Sequence, residues 1–146
     1  PRPRWLAELA HYEWIELALD TLDAPLPAHD PAGDLLTNAV ALNPASRVLA
    51  YAWPVHRIGT DYRPRQPRPT HLVVYRDADD EIQFTEINPV TARLLALLGD
   101  ATHTGESALR QIADELRHPD PAQLRAFGAA LLEQLRTQGV ILGAAR

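Results

Sequence analysis

Nine residues, "YAWPVHRIG" at 51 to 59, gather two aromatics, a proline, a histidine and an arginine, and raise the question of chemistry at once. Six histidines stand at 11, 29, 56, 71, 103 and 118, and no two share the HxH or HExxH spacing that sets two metal ligands on one face. His11 and Glu13 are too close in sequence to meet on a helix. Ser46 and Ser107 sit in no Gly-x-Ser-x-Gly setting, and no glycine-rich phosphate loop occurs. The acidic group Asp77, Asp79, Asp80 and Glu81 reads as a solvated turn, since the twelve-residue calcium-loop pattern is missing. No catalytic residue, metal site or cofactor is therefore assigned.

Binding chemistry survives this elimination. Between 56 and 71 the chain carries Arg57, Arg63, Arg65 and Arg68 against Asp61 alone, a local +3 on a chain of net charge −5. Arginine grips carboxylates through a rigid fork of N–H donors, so an acidic peptide is one candidate partner, against the plainer reading of a solvated proline-rich loop. The overall negative charge argues against general nucleic-acid affinity, which needs clustered cations to neutralise phosphates.

The elements that must hold these residues follow from periodicity. "WLAELAHYEWIELALD", 5 to 20, predicts a first helix, and the prolines of "APLPAHDPAGD" end it. "RVLAYAW" alternates as a strand and Pro54 interrupts it, which predicts an edge strand or a bend before "VHRI" continues it. "HLVVYR" and "IQFTEI" flank an acidic turn and predict a hairpin over 71 to 87. Asn88 with Pro89 opens a helix that stops at Gly99. "ESALRQIADELR" follows, with Leu109, Ile112, Ala113 and Leu116 on one face. The last helix starts from Asp120, repeats Leu124, Phe127, Gly128, Leu131 and Leu135, and ends at Gly139, after which "VILG" forms a short strand or packs beneath the helices.

The expected architecture is α+β, with an N-terminal helix, a small antiparallel sheet and a C-terminal three-helix, winged-helix-like unit. It reads as a single domain over 1–146, with the N-terminal helix and loop in 1–45, the sheet in 46–87 and the helical unit in 88–146. Without a methionine at position 1 the chain is expected to be the C-terminal fragment of a longer protein. There is no cysteine, so neither disulfides nor thiolate sites are available, and no apolar run approaches the roughly 20 residues that span a bilayer. A cytoplasmic protein without a membrane partner is the expectation.

An open sheet edge can take an extended peptide as an added strand, and both the hairpin and the interrupted strand offer one unless the proline-rich loops cover them. The competing function is a winged-helix DNA-binding domain of a transcriptional regulator. Its recognition helix "PAQLRAFGAALLEQLR" has only Arg125 and Arg136 and is apolar over most of its face, so nucleic acid is the weaker candidate.

The stretches "LAELAHYEWIELAL", "LNPASRVLAYAWPVHRIGTDY" and "HLVVYRDADDEIQFTEINPVTARLLALL" through "LRTQGVILG" together resemble the C-terminal half of the HvfC family. These are partner proteins in the maturation of ribosomally made, modified peptides (RiPPs), related to MbnC. From the hairpin onward the chain also resembles, more loosely, the PqqD-type RiPP recognition element, including the "N-x-x-x-A" helix start at Asn88 to Ala92. The resemblance implies a non-catalytic accessory subunit of a multinuclear-iron oxidase complex. Such a subunit binds a precursor peptide and joins a TIM-barrel iron enzyme of the HvfB/MbnB type that modifies the peptide's cysteines, holding no iron itself. It implicates residues of 71 to 87, among them Val73, Tyr75 and Arg76, with the face of the last helix, as the peptide site. Tyr51, Trp53, His56 and Arg57, with Arg63 and Arg65 of the arginine strip, are the candidates for contact with peptide or enzyme. The plainer alternative puts Tyr51 and Trp53 in the core and pairs Arg57 with Glu13 or Asp61.

Overall fold

The computed structural model describes residues 1–146. Its organising element is the strand β4 (Thr70–Arg76), in which Leu72, Val73 and Val74 are completely buried. Three consecutive apolar residues can be buried only where both faces of a sheet are covered, and that is the arrangement found. β3 (Ser46–Tyr51) pairs antiparallel with one side of β4, and β5 (Ile82–Ile87) with the other. Leu72 and Val74 face helix α1 (Leu6–Asp20), which lays Tyr12, Ile15 and Leu19 on the sheet. Val73 and Tyr75 face the opposite way, into the larger apolar cluster beneath α2 (Pro89–Leu98), α3 (Gly105–Leu116) and α4 (Pro121–Gln138). Each fully buried aliphatic side chain contributes about 1.5–3 kcal/mol, so the sheet is held from both sides.

The helix boundaries follow local chemistry. Asn88 Oδ1 accepts from Thr91 N at 2.8 Å with Pro89 as the first helical residue, and Asp120 Oδ1 accepts from Gln123 N at 3.1 Å ahead of Pro121. α3 opens on a reciprocal cap between Thr104 and Ser107, one residue earlier than its apolar pattern suggests. Gly139 ends α4 at φ 97°, a left-handed conformation suited to glycine.

The α+β class holds, but with two small sheets rather than one. The terminal strand β6 (Ile141–Ala145) lies between β1 (His29–Asp30) and β2 (Val40–Leu42), both antiparallel to it. A Cβ on Gly143 would run into the backbone of Asp30 and Pro31, so the glycine lets β1 approach. Neither β1 nor β2 shows enough alternation to be legible locally.

Three expectations are corrected. "VHR" is a 3₁₀ turn, Val55–Arg57, and does not continue the strand, because Pro54 offers no amide and the backbone folds back, Arg57 N donating to Pro54 O at 3.1 Å. Phe127 does not join the core and is 59% exposed. α4 turns Leu124, Gly128, Leu132 and Leu135 inward and leaves Phe127 beside that face. Leu116, in the last turn of α3, is likewise exposed.

Asn43 ties the two sheets together. Its Nδ2 donates to Arg76 O at 2.8 Å, at the end of β4, and to Gly139 O at 3.0 Å, at the end of α4. Its Oδ1 accepts from Ala45 N at 2.8 Å, and its own N–H donates to Val140 O at 2.9 Å.

Candidate functional site

β3 delivers Tyr51 into the cluster under α1, where its hydroxyl meets His11 Nδ1 at 2.8 Å. Burial, reinforced by the charge of Glu8, pushes the phenol up to about 12. Trp53 is buried beside it, with the Arg4 guanidinium 6.0 Å over its ring. The Glu8 carboxylate accepts from Ala52 N at 2.9 Å and from Trp53 N at 3.0 Å, stapling this segment to α1. Tyr51 and Trp53 are thus core residues of the α1 face.

The 3₁₀ turn then swings His56 against β5. Its imidazole is 4% exposed, stacks edge-on against Phe84 at 5.7 Å, and places Nε2 3.1 Å from Glu86 Oε2. A carboxylate only accepts, so Nε2 carries the hydrogen and Nδ1, buried with no partner, is left with a bare lone pair. A second proton would bury an unpaired N–H, and burial accordingly holds the imidazole below the usual histidine range against the pull of Glu86, with Arg57 and Arg68 adding to the lowering. His56 is an uncharged packing group in this setting.

Glu86 is the hub. Besides His56 it receives Arg68 Nη2 at 2.9 Å on Oε1 and Arg57 Nη2 at 3.5 Å on Oε2. Partial burial would raise its pKa, but the hydrogen bonds from Arg68 and His56 outweigh that and hold it below the usual carboxylate range. Arg57 pairs with Glu86, 29 positions along, and with neither Glu13 nor Asp61. Arg63 and Arg65 lie exposed on the connecting loop on either side of the buried Pro64 and take part in no ion pair.

Val73, Tyr75 and Arg76 stand elsewhere. The first two fill the core in the central strand and present no surface to a partner while the fold is intact. Arg76 donates to the carbonyls of Leu19 and Leu22, each at 2.8 Å, so it closes the C-terminal end of α1 as cations at helix ends do. The structure therefore brings His56 and Arg57 together with Arg68 on Glu86, leaves Arg63 and Arg65 on the loop, and gives the rest structural posts.

The accessible part of the hairpin is its outer strand. Asp77 N donates to Glu81 O at 2.9 Å, and from there the antiparallel ladder alternates, so the N–H and C=O groups of Ile82, Phe84 and Glu86 point away from β4. No strand pairs with that edge. The proline-rich loop reaches β5 through the Glu86 side chain and makes no backbone bond to the strand. β3, the other edge, is partly masked where Arg47 folds back onto the carbonyls of Pro44 and Ser46.

Beside the β5 edge runs a groove of about 130 Å³ between Thr85, Ile87 and Asn88 on one wall and Leu131, Gln134 and Gln138 of α4 on the other. The exposed Phe127 ring stands one turn before Leu131. At the far end, Gln138 Oε1 is buried without a hydrogen-bond partner, an acceptor left free in the groove wall. Glu86, Gln138 and Asn43 carry much of this arrangement and were not singled out from sequence. The only local signal was "TEINP", in which a lone acidic residue breaks an apolar strand.

No helix is long and apolar enough to cross a membrane, and no three His, Asp or Glu side chains converge as metal ligands. No curated protein matches the chain. Residues 43–136 match the family model described as the HvfC C-terminal domain, a span that takes in β3, the hairpin and nearly all of the three-helix unit.

Proposed function

The chain belongs to the HvfC C-terminal domain family, and on that premise we propose that it is a non-catalytic partner protein in RiPP biosynthesis. It binds a precursor peptide along the outer edge of β5 and associates with a TIM-barrel iron enzyme of the HvfB/MbnB type that modifies the peptide's cysteines.

One observation carries the reading: an unpaired strand edge lies alongside a groove in the same molecule whose polar lining is interrupted by Ile87, Leu131 and Leu135. An added strand takes its affinity from main-chain hydrogen bonds to Ile82, Phe84 and Glu86, and its selectivity from the side chains it sends to either face. On the α4 side those side chains meet Phe127 and Leu131. The uncharged, enclosed His56 has no nucleophile or acid partner beyond Glu86, which supports an accessory role over a reactive one. The iron chemistry belongs to the enzyme partner.

The test is titration of the domain with a candidate precursor peptide and with a TIM-barrel iron enzyme of the HvfB/MbnB type, comparing Phe84→Pro with Phe84→Ala. The N–H of Phe84 points outward, so proline there blocks an incoming strand without removing a bond to β4. Peptide binding is expected to vanish in Phe84→Pro and to persist in Phe84→Ala. Equal binding by both variants, or no binding of either partner to the folded wild type, overturns the proposal.

A further inference from the structure

We propose that the peptide accepted by β5 is bipolar, with a carboxylate side chain at the end that lies over Glu86 and apolar side chains on the alternate positions that face α4. This rests on β5 being the docking edge and adds the chemical class of the ligand.

The Glu86 end holds more positive charge than it neutralises. Two guanidiniums share one carboxylate while His56 stays uncharged, so the cluster is net positive. Each guanidinium has five N–H donors, and the side chains of Arg57 and Arg68 remain 56% and 46% exposed. The 3.5 Å contact of Arg57 is the loosest of the three on Glu86, and that side chain is free to fork onto a second carboxylate.

The opposite end of the same strand is acidic, with Asp79, Asp80 and Glu81 exposed in the hairpin turn. From Ile82 to Glu86 the strand advances about 13 Å at roughly 3.3 Å per residue, and over that distance the flanking charge reverses sign. A peptide with uniform charge meets repulsion at one end, whereas one acidic over Glu86 meets none.

Period-two geometry distributes the rest. Ile82, Phe84 and Glu86 share the face of the sheet that carries Leu72 and Val74, and Gln83, Thr85 and Ile87 share the face toward the helical unit. In an added strand the positions on the first face meet Phe84 and the two arginines, and the intervening ones meet Phe127 and Leu131. An antiparallel strand carries its acidic residue near its N-terminus and a parallel one near its C-terminus, so the place of the acid also reports direction.

The experiment uses the full 146-residue chain as bait for a displayed library of random peptides about twelve residues long, roughly twice a typical strand. Selected peptides are titrated at increasing salt, and their contacts are mapped by amide shifts. The expected result is enrichment of Asp or Glu at one end with apolar residues at alternate positions, and affinity that falls about tenfold when the peptide's acid is replaced by its amide. The Arg57→Gln, Arg68→Gln double variant should make that replacement neutral, and the peptide-side substitution stands by itself should the double variant fold poorly. Peptides that shift Ile82, Phe84 and Glu86 but carry no acidic bias overturn the bipolar ligand and leave the docking edge intact. Failure to select any peptide that shifts those amides overturns both.

Discussion

Replacing Asn43 by alanine removes three hydrogen bonds at the junction that sets β4 against the end of α4. The Arg76 and Gly139 carbonyls lose the Nδ2 donor, and the buried Ala45 amide loses its acceptor, while the main-chain bond from Asn43 to Val140 remains. Two part-buried carbonyls at about 0.5–1 kcal/mol each and one buried amide at about 1–2 kcal/mol give a loss of about 3 kcal/mol. For a chain of this length that corresponds to a fall in Tm of about 10 °C, and to a lower denaturant midpoint at unchanged slope. Asn43→Asp should cost more, because it sets a carboxylate against two carbonyls and can donate to neither. Both are read by thermal and urea melts followed by circular dichroism. The Gly139 carbonyl ends α4, one wall of the β5 groove, so peptide affinity should weaken in any variant that remains folded. A loss below about 1 kcal/mol in Asn43→Ala would refute the reasoning, since it would mean the junction is held by packing and the bonds exchange freely with water.

Two further predictions concern the cluster around Glu86 and the packing of α4. His56 refuses its proton in the folded state more than in the unfolded one, so both forms are neutral at high pH and its favourable contribution is fully present above about pH 6.5. As pH falls below that value the unfolded chain takes up the proton first and stability declines, a slope that His56→Gln should flatten in urea midpoints between about pH 7.5 and about pH 5.5. An unchanged slope in the variant would show that His56 protonates freely in the fold. Gly128→Ala places a Cβ onto the Leu109 side chain at the α3–α4 contact and should destabilise by about 1–3 kcal/mol, checked by the same melts. A stabilised variant, as helix propensity alone would give, would mean that the two helices separate easily.

Elements whose cause is local were legible in the residues. Asn88 with Pro89, Asp120 with Pro121, Gly139 and the acidic turn between two alternating runs each act within a few positions, so the helices and the hairpin follow from sequence. The family was legible too, because the stretch 43–136 carries its diagnostic segments in order. Features whose cause is distant were not. The strand read through Pro54 became a 3₁₀ turn, and the second sheet depends on β6 meeting residues 99 to 116 positions earlier. Neither leaves a period in the chain.

The "WPVHR" segment shows where that boundary falls. Its residue types announced a polar cluster, and elimination of catalytic patterns made it a matter of binding. Which of its side chains meet solvent was decided by tertiary packing: Trp53 and His56 are enclosed by α1 and β5, while Arg57 is left half exposed on a carboxylate 29 residues away. Exposure of the peptide edge was decided in the same way. An apolar strand such as β4 carries no mark of whether it is central or outermost; the pairing of β3 made it central, the helical unit covered Val73 and Tyr75, and Ile82, Phe84 and Glu86 were left with free backbone groups. Local propensity sets the type of each element through contacts a few residues long, and surface and interior emerge only when elements far apart in the chain compete to cover one another.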